Sequence, residues 1–359
     1  MEFQRYKLSQ LITIKNGKDY KHLEEGDVPV FGSGGYMCSV SSYLYDKVSI
    51  LLPRKGTLSN IQYFNNGKFW TVDTCFYSII NESLCNPYYL YRHLRSLDLS
   101  GYDTGASIPS MTQKTYNGIK VMLPSLPAQH RIASILSAYD NLIENNNRRI
   151  RLLEQMAENL YKEWFVRFRF PGHEKAEFEN GLPKGWKVEK VKNIVKRLPF
   201  NRTYKEYELE KEGAVIVIDQ STDELMGYHN NEPSHYANYD EPLLLFGDHS
   251  CKFQLMTRNF SLGENVIPYT AKNKNDVNAY WLFYATHKLI QTEEYKRHWG
   301  RFTSMKVLVP DIDVQTRFEK IVKTIEMEKN KLITVNSTLS RQRDLLLPRL
   351  MSGKLEVKV

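Results

Sequence analysis

The sequence predicts a mixed α/β protein built twice over, with two unlike heads that are each followed by a long helix. Three observations carry this. A segment of the first half recurs in the second at a constant offset, each copy continues into a helix with apolar residues at seven-residue intervals, and a region of mixed strand and helix character precedes each copy.

The repeat comes first. IKVMLPSLPAQHRIASIL, from Ile119 to Leu136, returns as MKVLVPDIDVQTRFEKIV, from Met305 to Val322. Lys120, Val121, Pro124, Gln129, Arg131 and Ile135 recur as Lys306, Val307, Pro310, Gln315, Arg317 and Ile321, each 186 positions on. Each copy reads as a strand ended by a proline, then a long helix. Ser125 and Asp311 suit the N-cap, because their side-chain oxygens accept from free backbone N–H groups. Pro127 is tolerated in the first turn, where its missing N–H has no partner to lose.

The helices share a heptad phase. The first carries Ile132, Tyr139, Asn146, Leu153 and Leu160, with Ile135, Leu142 and Met156 between them. The second carries Phe318, Ile325, Leu332, Leu339 and Leu346, with Ile321 and Val335 between. Such a narrow seam marks a helix paired with one other helix, whereas a helix lying on its own head would show a wider stripe. Two matched seams in one chain favour pairing with each other. Asn146 interrupts the first seam, either as a register-fixing polar residue or as part of a solvated stretch with Asn145 and Asn147.

The regions before the helices have similar lengths and almost no similarity of sequence. They hold strand candidates at Val48–Pro53, Ala214–Asp219 and Pro242–Phe246. A helical segment precedes each terminal strand, YYLYRHLRSL in one and YWLFYATHKLIQTEEYKRHW in the other. The stretch Phe170–Trp186 is polar and rich in Gly and Pro, as a linker is. The predicted organisation is a first head over 1–123, a long helix over 124–169 and a linker over 170–184, then a second head over 185–309 and a second long helix over 310–359. Two unlike heads on two like helices suggest one scaffold presenting two recognition surfaces.

Composition narrows the partners. The chain has 359 residues and a net charge of +8, which suits a polyanion. Its 42% hydrophobic and 25% charged residues are ordinary for a globular protein. Cys38, Cys75, Cys85 and Cys251 are scattered, with no CxxC pair, so neither a disulfide framework nor a structural zinc site is expected. No apolar run is long enough to span a membrane and the first residues lack a secretory pattern, so a cytoplasmic protein with no membrane partner is expected.

Several motifs imitate catalytic sites. Gly32-Ser33-Gly34-Gly35 follows a strand, but Met37 stands where a dinucleotide fingerprint needs a third glycine and no helix opens after it, so a tight turn approaching the DNA backbone is expected. Asn86-Pro87-Tyr88-Tyr89 lacks the second proline of an adenine-methyltransferase signature and reads as a helix start. Glu294-Tyr295-Lys296 with Asp276 upstream has helical periodicity, unlike a nuclease carboxylate cluster borne on a strand. Asp248-His249-Ser250 is too contiguous to form a nucleophilic triad, and no phosphate loop of an ATP motor is present. No catalytic residue, metal site or cofactor is therefore expected on this chain. Arg54, Lys55 and Gly56 place cations beside a glycine, which lets a loop approach phosphate, and Lys68, Lys114, Lys252, Arg258 and Arg301 are further DNA-contact candidates. Two other classes stay open on these residues: a self-contained methyltransferase or nuclease, and a coiled-coil adaptor with no DNA role.

The chain resembles the specificity subunits of type I restriction–modification systems over nearly its whole length. The resemblance rests on VPVFGSGGY (Val28–Tyr36), ILLPRKGTLSN (Ile50–Asn60), FWTVDTCFY (Phe69–Tyr77) and the segment from Thr104 to Leu136 in the first half. In the second half it rests on LLLFGDHSCKF (Leu243–Phe253), GRFTSMKVLVP (Gly300–Pro310) and the closing LLLPRLMSGKLEV (Leu345–Val357), and the second head matches less fully than the first. The resemblance implies two target-recognition domains separated by two long helices that pair antiparallel. It further implies a duplex DNA site read in two halves. Two methyltransferase subunits would bind S-adenosylmethionine, and two motor–nuclease subunits would use ATP and Mg2+, in a bacterial or archaeal cytoplasm.

Overall fold

The computed structural model describes residues 2–103, 109–220, 225–291 and 297–358. The architecture is the mixed α/β class predicted, and the chain forms two compact units. One comprises residues 1–145 with 335–359 and the other residues 146–334, so each unit holds one head and a part of both long helices.

The first head runs β1 (Phe3–Lys7), a single helical turn α1 (Leu8–Leu11), β2 (Ile12–Asn16), β3 (Glu25–Gly32), β4 (Gly35–Val40), β5 (Ser49–Pro53) and β6 (Gln62–Phe64). It continues through β7 (Trp70–Thr71), β8 (Cys75–Ile80), α2 (Pro87–Arg95), α3 (Gln113–Gly118) and β9 (Lys120–Pro124) into the long helix α4 (Leu126–Tyr161), which ends in a π-helical turn over Lys162–Val166. The candidate strand at Val48–Pro53 is β5, buried at every position as a central strand should be. A small hairpin, β10 (Phe178–Glu179) and β11 (Leu182–Pro183), lies in the Gly- and Pro-rich stretch. Both ends of that stretch are anchored, since Phe170 and Trp186 are buried in the core of the second unit with ring centroids 5.3 Å apart.

The second head runs β12 (Lys187–Lys190), α5 (Val191–Ile194), β13 (Val195–Arg197), β14 (Val215–Ile218), β15 (Leu225–His229), β16 (Leu243–Gly247) and β17 (Phe253–Met256). It continues through β18 (Phe260–Leu262), β19 (Val266–Ala271), α6 (Ala279–Thr286), α7 (Trp299–Ser304) and β20 (Lys306–Val309) into α8 (Ile312–Met351).

Element for element, the heads are the same fold. The order β2-β8-β5-β6 in one four-stranded sheet is matched by β13-β19-β16-β17, and β4-β3-β7 by β15-β14-β18. In each three-stranded sheet the first strand pairs antiparallel with the second and parallel with the third. β1 pairs with β9 and β12 with β20, each antiparallel. The duplication seen around the repeated prolines therefore extends through heads whose sequences do not resemble each other.

The joint between head and helix is also duplicated. The Gln129 side chain is 1% exposed; its Oε1 accepts from the Asn86 N–H at 2.9 Å, and its Nε2 donates to the carbonyls of Pro124 (3.0 Å) and Leu84 (3.3 Å). Gln315, fully buried, repeats this on the Asn278 N–H (2.8 Å), Pro310 O (2.7 Å) and Asp276 O (3.0 Å). Asn86 and Asn278 are the N-caps of α2 and α6, accepting from backbone N–H groups of the first turn. One buried amide thus ties the strand end, the long helix and the N-terminus of the head's own helix, and supplies the donors and acceptor that buried backbone groups require.

Within each unit the two long helices run antiparallel. In the second unit Arg149 pairs with Glu328 at 3.0 Å, while Tyr161 meets Phe318 with ring centroids 6.3 Å apart. In the first, Asp140 pairs with Arg343 at 2.7 Å, and Ile132 and Leu136 share a core with Leu350. Ile132, Asn146, Phe318, Ile325 and Leu332 are buried, and Tyr139, Leu153, Leu160, Leu339 and Leu346 half-buried. The intermediate positions need correction. Ile135 is half-buried, but Leu142, Met156, Ile321 and Val335 are exposed, at 51%, 57%, 43% and 39%. The second line of the seam lies four residues on instead of three, at Leu136, Ala157, Val322 and Leu350, with Lys329, Asn336 and Arg343 in the same line.

The long helix expected over the YWLFYATHKLIQTEEYKRHW segment is also shorter, ending at Thr286. The Thr286 hydroxyl bonds back to the Leu282 carbonyl at 2.7 Å, and His287 turns to Glu158 of α4 at 2.9 Å, so side chains take over where the helix would continue. Glu294, Tyr295 and Lys296 lie outside the described residues, as do Thr104–Ile108 of the resembling segment.

Candidate nucleic-acid interface

Gly32–Gly35 forms a two-residue hairpin turn. Gly32 pairs with Gly35 across β3 and β4, leaving Ser33 and Gly34 at the tip, and the Gly35 φ of 120° is open to glycine but not to a side-chain-bearing residue. A Cβ built on Gly34 or Gly35 meets nothing within 4 Å, so the tip faces open space. Its base, by contrast, is held. The Asn60 amide donates to Ser33 O at 2.7 Å and the Gln62 amide to Gly32 O at 3.0 Å.

Asn60 belongs to the β5–β6 connection, which also carries Arg54, Lys55 and Gly56, and Gln62 is the first residue of β6. The structure brings these two sequence motifs together, with the Ser33 hydroxyl 3.4 Å from where a Cβ of Gly56 would stand. The connection is itself fixed, since Gly56 N–H donates to Pro109 O at 2.8 Å and Met111 N–H to Arg54 O at 3.0 Å. Tyr116 of α3 adds its hydroxyl to Pro53 O at 2.8 Å, and exposed Lys114 rides on the same helix. Arg54 and Lys55 are both exposed on this edge.

The second head repeats the arrangement with other residues. Gln220, just past β14, accepts the His249 N–H at 3.0 Å through its side chain, so the chain leaving β14 again meets a connection of the four-stranded sheet, here the one between β16 and β17. Asp248 in that connection accepts from the N–H groups of His298 (3.1 Å) and Trp299 (2.9 Å), capping the start of α7. Lys252 lies in the connection, half-buried, and Arg301 is exposed on α7. Arg301 corresponds to the position after Lys114, because α3 and α7 end 186 residues apart, at Gly118 and Ser304.

Lys68 and Arg258 form a separate pair. Lys68 follows β6 and Arg258 follows the equivalent β17, so they sit at the other end of the strand from Lys55 and Lys252; four-residue β17 spans about 13 Å. Lys68 rests over the Tyr43 ring at 4.8 Å, and Arg258 lines a cleft of 1070 Å³ beside α8 within the second unit. The candidate cations therefore divide between two edges of each head.

Residues 1–155 match the family profile described as "Type I restriction modification DNA specificity domain". The chain is 24% identical over 376 residues to the MjaIX type I restriction enzyme specificity subunit of Methanocaldococcus jannaschii, covering 95% of this chain and 84% of that one. Over nearly its whole length the chain is thus similar to type I restriction enzyme specificity subunits. The MjaVIII specificity subunit of the same organism is 33% identical over 118 residues, 32% of this chain and 28% of that one. In fold, the chain is similar to the crystal structure of a type I system S subunit from M. genitalium, with TM-score 0.67 and 16% identity over 97% of this chain and 96% of that one.

Other polar groups in this chain serve the fold. His229 and Ser261 lie 2.9 Å apart, a pair that sequence reading did not single out. The Asn231 N–H donates to His229 Nδ1 at 3.1 Å, so the ring proton is on Nε2 and points at the serine, the reverse of what activates a nucleophile. Burial also lowers the His229 pKa. Asn86 opens α2, with Pro87 in its first turn. Exposed Asp276 bonds Asn273 in a turn. Burial pushes the Cys75 and Cys85 thiols up to about 12, away from reactive thiolate. Among the described residues no three His, Cys, Asp or Glu side chains gather as a metal site, and no helix is long and apolar enough to cross a membrane.

Proposed function

We propose that this subunit reads a bipartite duplex DNA site, one half with each head. In this reading α4 and α8 set the gap between the halves and carry two methyltransferase subunits, and two motor–nuclease subunits complete the complex. S-adenosylmethionine, ATP and Mg2+ act on those partners, none on this chain, in a bacterial or archaeal cytoplasm. The observation that carries the reading is the pair of heads with one topology and unlike loop residues, each fixed to its helix by the same glutamine joint. Such a construction keeps the scaffold constant while the reading surfaces differ, which is what two different half-sites require. The outward apolar side chains Leu142, Leu152, Met156, Ile321 and Met327 on the long helices supply surface for partner subunits.

The test uses the purified chain with a duplex carrying the host's methylated motif. Binding should weaken linearly in log–log form as salt rises, since phosphate contacts release counterions. The chain alone should neither methylate nor cut the duplex. Adenine methylation by the chain free of other subunits, or binding indifferent to salt, would overturn the reading.

A further inference from the structure

We propose that each head contacts base edges with one composite edge, where the residues that follow β3 or β14 meet the connection between β5 and β6 or between β16 and β17. In the first head the contacts fall to Ser33, Tyr36, Arg54 and Lys55. In the second the same edge is built by Gln220 and the connection from Asp248 to Lys252. The inference rests on the function proposed above and narrows it to one of the two cation-bearing edges.

Two unlike sequences make the same contact by opposite means. In the first head side chains of the connection and of the start of β6 hold the backbone of the turn, through Asn60 to Ser33 O and Gln62 to Gly32 O. In the second the side chain of Gln220, just past β14, holds the backbone of the connection at His249. An apposition rebuilt from different residues in the two heads points to a requirement on shape. That requirement is a rigid edge. A turn braced before binding loses little freedom on contact, which favours affinity and fixes what the side chains can reach.

The chemistry at this edge suits a groove. A two-stranded ribbon such as β3–β4 fits the major groove, and a bare Gly34–Gly35 tip lets backbone N–H groups approach acceptors without a Cβ between. Ser33 can donate or accept at a base edge. The exposed Tyr36 ring (63%) stands on β4 next to the tip, with its hydroxyl 3.2 Å from Ser39 Oγ, and Phe31 packs edge-on at 6.3 Å to support it. A Cβ on Gly32 would lie 2.9 Å from the Met37 sulfur, so a side chain there would displace that flexible methionine. Arg54 and Lys55, exposed in the connection whose Gly56 adjoins Ser33, are the cations available to position a ribbon against phosphates. The opposite edge offers Lys68 over Tyr43 and its own backbone bridge between Tyr45 and Phe69; what the composite edge has in addition is the β3–β4 ribbon tip with Ser33 and exposed Tyr36.

The test uses the chain assembled with its methyltransferase subunits and a duplex library randomised over one half-site at a time, read by selection and sequencing. Ser33→Ala and Tyr36→Phe should relax base preference in one half-site by about 5- to 150-fold and leave the other unchanged. Both keep the turn backbone and the Tyr36–Phe31 ring contact, and unfolding midpoints should match wild type. Arg54→Ala with Lys55→Ala should weaken all sequences alike and flatten the salt dependence. If wild type selects no motif, the proposed function itself falls and this assignment with it. If wild type selects a motif that the Ser33 and Tyr36 variants keep, or that Lys68→Ala alone alters, only the assignment of this edge is overturned.

Discussion

Replacing Gln129 by alanine should loosen the first head from its helix by an amount that can be worked from the joint. The change strips a partner from the Asn86 N–H and from the Leu84 and Pro124 carbonyls, in a site 1% exposed. An orphaned buried polar group costs about 1–3 kcal/mol, less where water enters the vacated space, so a loss of about 2–4 kcal/mol is expected. Gln315→Ala should cost the same within error, because its three partners lie at matching distances. Gln129→Glu separates hydrogen bonding from size. A carboxylate still accepts from Asn86, but turns a second oxygen toward two carbonyls, so its folded pKa rises above the ordinary value of about 4.3. A raised folded pKa gives stability that is complete below the unfolded value and lost as pH rises through the folded one. The glutamate variant should therefore be closer to wild type at pH ~5 than at pH ~7. Urea unfolding at both pH values, with amide exchange followed at Asn86 and Asn278, reads the effect. An alanine variant within about 0.5 kcal/mol of wild type, or a glutamate variant as stable as wild type at neutral pH, would refute the joint.

Three further outcomes are expected. Burial alone would raise the Asp140 pKa, but hydrogen bonds from Tyr88 and Arg343 and the Arg92 charge outweigh it and hold the carboxyl below its ordinary value. Its contribution is thus complete above the ordinary carboxylate range and lost as pH falls through the folded pKa; Asp140→Asn should cost about 2 kcal/mol at neutral pH, and acid-unfolding curves of variant and wild type should converge. Leu136→Ala should cost about 2–5 kcal/mol and Leu142→Ala less than about 0.5 in chemical unfolding, because only the first lies in the seam. Four residues inserted after Asn147 add about 6 Å and turn the rest of α4 by only ~40°, whereas two residues turn it by ~200° and misplace Leu153 and Leu160. The first variant should methylate a site with a longer gap and the second should fail to assemble, as read by methylation-sensitive sequencing and gel filtration.

The repeat around Gln129 and Gln315 was legible because identical residues stand at a constant offset, and the strand at Val48–Pro53 because it is a short apolar run closed by proline. The role of the glutamines was not, since their partners Asn86 and Asn278 lie 43 and 37 residues away in heads of unlike sequence. Likewise the equivalence of the heads is a matter of strand order, which residue comparison does not register. The second line of the helix seam was misplaced for a specific reason. A search for apolar residues chose Leu142, Met156, Ile321 and Val335, while the inward line includes Lys329 and Arg343, whose charges meet Glu326 at 2.7 Å and Asp140 at 2.7 Å. At the candidate interface the GSGG turn and the Arg54-Lys55-Gly56 loop were each visible, but their apposition through Asn60 and Gln62 depends on a fold that brings two sheets' connections together.

The central claim is that two independent heads read two half-sites, and head exchange tests it most directly. Residues 1–123 are replaced by the equivalent head of a relative with a known site, residues 185–309 are replaced in a second chimera, and each is expressed with its methyltransferase subunits for methylation-sensitive sequencing of the host genome. The account predicts that the first exchange changes the bases of one half-site, that the second changes only the other, and that the gap stays constant in both. A single exchange that alters both halves would contradict it.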